Sequence, residues 1–147
     1  MANNEMTEAK VAELYAQGFN CSQVVLCHAA EELGMDLKTA RRIAAGFGGG
    51  IYRGEVCGSV SGAVMALGLA FGHDTPFDGE TSAEMVEKMK EFTERFTKGH
   101  GSVVCRELLG YDFRDPEQAQ KARESGIMKK VCPSLITGAC RILDDML

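Results

Sequence analysis

The sequence predicts an all-α fold, a compact helical bundle or orthogonal helical array built around a glycine-rich central helix. Apolar residues recur at three- and four-residue spacing in successive segments, and capping residues precede several of those segments. No segment keeps the strong alternation of a half-buried strand. With 147 residues, 45% hydrophobic and 25% charged, the chain has the length and composition of one globular domain over residues 1–147. A chain of this size buries about two-thirds of its unfolded surface and needs no disulfides to fold. The three prolines, at 76, 116 and 133, are scattered, and no linker or repeat divides the sequence.

From Thr7, the spacing of Val11, Leu14 and Tyr15 predicts an amphipathic helix that Gly18 ends. Asn20 and Gln23 form a capping pair for a second helix through Val24, Val25, Ala29 and Leu33, with Cys21 in its first turn. Asp36 or Thr39 caps a third, carrying Ala40, Ile43 and Ala44 on its apolar face. Phe47-Gly48-Gly49-Gly50 then interrupts the helix and predicts a close-packed turn, with a short strand at Ile51-Tyr52 as an option. Between Val56 and Leu69, Gly58, Gly62, Ala66 and Ala70 fall four apart, a smooth stripe that suits close helix packing or a homo-oligomer interface.

After a loop from His73, Ser82 is the expected start of a helix whose Met85, Met89, Phe92 and Phe96 face the core and which Gly99 and Gly101 close. Ser102 is the expected cap of a short turn with Cys105, Leu108 and Leu109, ended by Gly110. Asp115-Pro116-Glu117 marks another helix start, and Cys132-Pro133 the start of a terminal helix through Leu135, Ile136, Ala139, Ile142 and Leu143.

Sixteen basic against twenty-one acidic side chains give a net charge of -5, so the chain as a whole offers no electrostatic attraction for nucleic acid or an anionic membrane. The N-terminal run Met1-Ala-Asn-Asn-Glu-Met-Thr-Glu lacks the basic start and apolar stretch of a secretory signal. Val56–Phe71 is shorter than the roughly 20 residues a spanning helix needs. The expectation is a cytoplasmic protein with no membrane insertion and no nucleic-acid partner.

In such a compartment, six cysteines point to buried, redox-active or metal-binding thiols more than to a disulfide framework. Cys21, Cys57, Cys105 and Cys132 all fall at or near predicted helix starts, where free N–H groups and the positive dipole end favour thiolate. Arg53, Arg106, Lys129 and Lys130 lie close in sequence and add to that expectation. The plain alternative for each is a small buried hydrophobe, the reading preferred for Cys27 and Cys140 within apolar helical patterns. There is no CxxC, zinc-finger clasp or CxxCH haem-attachment motif. The glycine run lacks the strand, lysine and Ser/Thr context of a phosphate loop and reads as a packing turn. His28, His73 and His100 read as surface residues, Met85 and Met89 as core, and Asp144-Asp145 as solvated.

Phe19-Asn-Cys-Ser-Gln-Val-Val-Leu, Phe47-Gly-Gly-Gly-Ile, Gly54-Glu-Val-Cys-Gly-Ser-Val-Ser-Gly and Cys105-Arg-Glu-Leu-Leu-Gly-Tyr-Asp together resemble the C-GCAxxG-C-C family of redox-active proteins, over nearly the whole chain. The resemblance carries the four-cysteine pattern onto Cys21, Cys57, Cys105 and Cys132 and the central CGAxxG motif onto Cys57 through Gly62. Ser59 stands where that motif has alanine, adding a hydroxyl that needs a partner if buried. The resemblance implies redox activity without naming a substrate or redox partner. Some relatives are haem-bearing split-Soret cytochromes, but without CxxCH nothing here implies covalent haem.

The leading reading is a thiol-dependent oxidoreductase or electron carrier in which Cys57 attacks and Cys21 resolves, their separation of 36 residues being no obstacle in a helical fold. A second reading makes Cys21, Cys57, Cys105 and Cys132 the ligands of Zn²⁺ or an iron–sulfur cluster. A third is a structural or oligomerisation domain packed through Gly58 and Gly62.

Overall fold

Thr7 accepts a hydrogen bond from the Lys10 N–H and starts α1 (Glu8–Ala16). The computed structural model describes residues 4–147, so the part of the N-terminal reading that rests on Met1 to Asn3 lies outside the described residues. Asn20 begins α2 (Cys21–Ala30) with both bonds of a capping box: Gln23 N–H donates to Asn20 Oδ1 at 3.1 Å, and Asn20 N–H donates to Gln23 Oε1 at 3.0 Å. Asp36, rather than Thr39, caps α3 (Leu37–Ala44). Ala40 and Ala44 are buried, but Ile43 is 49% exposed, because the short helix covers only a narrow alanine stripe.

A 3-10 turn over Ala45–Phe47 then leads into backbone of the opposite hand. Gly49, Gly50, Ile51 and Tyr52 all have positive φ, near +60°, and Glu55 N–H closes back onto the Gly50 carbonyl at 3.1 Å. The segment is one left-handed turn, not the short strand the sequence allowed. A side chain at Gly50 would run into the Glu55 backbone, which explains the glycine there.

Cys57 is the N-cap residue of α4 (Gly58–Phe71), the most apolar helix. Helix α5 (Gly79–His100) starts three residues before the expected Ser82, because Asp78 accepts from the Thr81 N–H. Phe92 and Phe96 are fully buried, whereas Met89 is 37% exposed and lies off the core face that the sequence assigned to it. Val104, not Ser102, is the N-cap residue of α6 (Cys105–Leu109); Ser102 instead accepts from the Val104 N–H and donates to Glu107. Asp115 caps α7 (Pro116–Ser125), with Pro116 in the first turn.

Helix α8 (Ile127–Met146) departs furthest from expectation. It begins directly after Gly126, whose positive φ ends α7, and runs on through Pro133. Cys132 therefore sits inside a helix, not at its start. Proline deprives the Lys129 carbonyl of its helical donor, and Lys129 is exposed, so water can serve that carbonyl.

Helix α4 packs between α2, α5 and α8. Its closest neighbour is α2, approached through the small-residue stripe: a Cβ at Gly62 would meet the Ser22 carbonyl at 2.6 Å and the Val25 side chain at 3.2 Å. Gly58, Gly62 and Ala66 are buried within the chain, while Ala70 is exposed. The core is completed by Leu26, Leu67, Ile136 and Leu143, with Phe92 and Phe96 stacked at 6.1 Å. Among the described residues no strand is present beyond a single antiparallel bridge between Val56 and Val104, and no helix is long and apolar enough to cross a membrane.

Polar ties hold α8 to its neighbours. The largely buried His28 ring meets Asp144 at 2.8 Å, and Arg95 meets Asp145 at 2.7 Å, so neither aspartate is merely solvated and His28 is not a surface residue. His100, the last residue of α5, lies against the Phe96 ring at 4.6 Å.

Candidate functional site

Cys21, Cys57, Cys105 and Cys132 line one apolar cavity of about 520 Å³. Four separate elements deliver them. The capping box holds Cys21 at the first position of α2. The Val56–Val104 bridge fixes the next two: Cys57 N–H donates to the Val103 carbonyl at 2.7 Å, and Cys105 N–H donates to the Glu55 carbonyl at 2.6 Å. Cys132 comes from the second turn of α8. Cys21, Cys57 and Cys105 are buried at 8%, 5% and 5% exposure, and Cys132 is half-buried.

Glycines let the sulfurs approach. A Cβ on Gly58 would collide with the Cys21 sulfur, so that sulfur packs on the residue immediately after Cys57. Gly48 and Gly49 line the same cavity, and a Cβ on Gly48 would collide with the Asn20 side chain. The glycine run thus serves the cavity wall and the α2 cap. All six cysteines are free thiols, with Cys140 fully buried in the core and Cys27 half-buried beside Arg41, away from the cavity.

The thiols do not favour the anion, contrary to what helix starts and neighbouring basic residues suggested. Burial, followed by the charge of Cys57, pushes Cys21 up to about 11, against the pull of the Gly49, Ser22 and Cys21 N–H groups. Burial raises Cys105 to about 12, with Cys57 and Cys21 adding to the effect. Cys132 also rises to about 12 through burial and then Cys21 and Cys57, opposed by the Tyr15 hydroxyl. Cys57 is raised by burial and is opposed by the Ser59 and Val60 N–H groups and the Ser59 hydroxyl. Desolvation therefore outweighs the helix termini. The basic residues are occupied elsewhere: Arg106 and Arg53 face Glu55 at 3.3 and 3.8 Å, and Lys129 and Lys130 are exposed.

Sequence reasoning missed several residues of the cavity. Tyr15, read as one member of an amphipathic face, stands beside Cys132; Tyr52 and Arg123 also line the wall. Ser59 is fully buried there, and its hydroxyl makes no hydrogen bond within the chain. It faces the Cys57 sulfur closely enough to stabilise a thiolate without bonding the thiol. The substitution of serine for alanine in the motif was the one available signal for this group.

Among the described residues the cavity wall carries four thiols and no carboxylate or imidazole. Among the described residues no three His, Cys, Asp or Glu side chains are grouped as a formed metal site. No curated protein and no solved structure is significantly similar to the chain. A family model does match, across residues 19–146, from just before the first cavity cysteine to the end of α8. The chain belongs to the family described as "Putative redox-active protein (C_GCAxxG_C_C)".

Proposed function

We propose that the cavity works as a two-electron dithiol centre, with Cys57 and Cys21 as the reacting pair. The observation that supports this reading is the packing of the Cys21 sulfur on Gly58, beside Cys57, within a cavity to which all four motif thiols contribute. Cys57 is the better nucleophile of the two: donors face both sulfurs, but burial alone raises Cys57, whereas the charge of Cys57 adds to burial at Cys21. Oxidation forms one S–S bond, releases two protons and passes two electrons to an acceptor; reduction reverses it. Cys105 and Cys132 line the same cavity and are available for exchange with the first pair.

The test is a thiol count and intact mass on anaerobically purified protein before and after mild oxidation. The expected result is reversible loss of thiols in pairs, mapped to Cys21 and Cys57 and abolished by Cys57→Ser. An unchanged cycle in Cys57→Ser would remove that residue from the reaction.

The donor set favours one second reading, a metal or cluster module held by Cys21, Cys57, Cys105 and Cys132. Four thiols without oxygen or nitrogen ligands suit Zn²⁺ or an iron–sulfur cluster, the latter supplying one-electron transfer. The side chains would have to turn toward a common centre. Stoichiometric metal in the anaerobic protein, with all four thiols protected, would put this reading first.

A further inference from the structure

We infer that the electron acceptor of the dithiol centre is a small quinone that enters the cavity beside Tyr52; this rests on the dithiol reading above. Access is the first argument. Sulfurs on residues only 5–8% exposed cannot be attacked by a disulfide on the surface of another protein, so the acceptor has to come in. Charge is the second. Among the described residues Arg123 is the only charged side chain lining the cavity, so a peptide disulfide with several ionised groups would leave them unpaired in an apolar space.

The shape and polarity of the walls point to a flat, uncharged ring. Tyr15, Phe19, Tyr52 and Phe113 supply aromatic surface, and about 520 Å³ is ample for a small aromatic molecule. One polar group at the rim suits a quinone oxygen. Arg123, at the exposed edge, donates to Gln120 at 2.9 Å and has no carboxylate partner among the described residues, so its remaining donors can meet a carbonyl oxygen and stabilise negative charge as it grows there.

The chemistry balances without another reactant. The Cys57 sulfur adds to a ring carbon, and the Cys21 sulfur then attacks the Cys57 sulfur. The S–S bond forms as the S–C bond breaks, the electron pair of that bond passes into the ring, and the two thiol protons finish on the two oxygens of the hydroquinone. Quinones are established oxidants of protein dithiols.

Menadione, under anaerobic conditions with the reduced full chain, tests this, with diamide as a non-quinone oxidant. The expected result is one hydroquinone released per disulfide formed between Cys21 and Cys57. Cys57→Ser protein, its remaining thiols kept protonated at a mildly acidic pH and shown free of adduct by intact mass, should bind menadione saturably by equilibrium dialysis. Adding Arg123→Gln should weaken that binding about tenfold, the worth of one charge-assisted hydrogen bond, and adding Leu109→Trp, which fills the cavity, should abolish it. Because the tryptophan variant could fail to fold, the substitution at exposed Arg123 carries the decision. Disulfide formation with diamide but neither binding nor oxidation by menadione would overturn the quinone assignment and leave the dithiol centre standing. A stable menadione adduct on Cys57 with no hydroquinone released would overturn it too. Failure of both oxidants to form a disulfide would overturn the dithiol reading, and the quinone with it.

Discussion

Gly58 bears two demands at once, since it starts α4 and leaves room for the Cys21 sulfur. Gly58→Ala should push that sulfur away and lower stability by about 1–3 kcal/mol, the usual cost of overpacking. Chemical denaturation measures the loss, and a slower Cys21–Cys57 oxidation in the same variant would show that the displaced sulfur matters to the chemistry. Thiol acidity gives a second prediction at this scale. Cys21 is raised to about 11, and Cys105 and Cys132 to about 12, so alkylation of these three should accelerate only as pH climbs toward those values. Cys57, raised by burial alone with no neighbouring thiol adding to it, should react first of the four cavity thiols in a pH series read by mass spectrometry. The positions of Cys21, Cys57 and Cys105 at helix starts were legible, because caps and glycines are local signals. Their acidity was not: it depends on burial that only the assembled walls create. Tyr15 and Arg123 were hidden for the same reason, since an amphipathic tyrosine and a helical arginine look alike with or without a cavity beside them.

The left-handed turn Gly49–Tyr52 is the element whose conformation the sequence least disclosed. Two of its residues are glycines, but Ile51 is β-branched and pays about 1–2 kcal/mol for its positive φ. Its side chain is 47% exposed and contributes little burial in return. Ile51→Gly should therefore stabilise the protein by up to about 1 kcal/mol, after the extra freedom of the unfolded glycine is subtracted. Gly50→Ala should do the opposite through its clash with Glu55; thermal melting of both variants gives the signs. The terminal helix teaches a related lesson. Cys132-Pro133 has the form of a helix start, yet Gly126 had already supplied the break, and proline is accommodated where Lys129, the residue whose carbonyl it orphans, is exposed. A local cap motif marks where a helix can begin, and the neighbouring glycine decided where this one does.

Across the whole molecule, the buried thiols link stability to pH. Each of Cys21, Cys105 and Cys132 binds its proton more tightly when folded than at the ordinary thiol value of 9.0. Between about pH 9 and 12 the folded state holds more protons than the unfolded, so stability is full below that window and falls as pH rises through it. Denaturation midpoints at stepped alkaline pH should show the decline, and replacing Cys105 with alanine should flatten it. The helical class followed from periodicity, and α4 was placed at the centre by its apolar content and its small residues. What periodicity could not give was the convergence of four cysteines spread from residue 21 to 132, since that is a product of how the helices cross. The composition of the cavity also has an optical consequence. The chain has no tryptophan and three tyrosines, and two of them, Tyr15 and Tyr52, stand in the cavity wall. Its intrinsic ultraviolet emission therefore originates largely beside the four sulfurs, and each change in their oxidation state should register as a change in brightness, without any label attached.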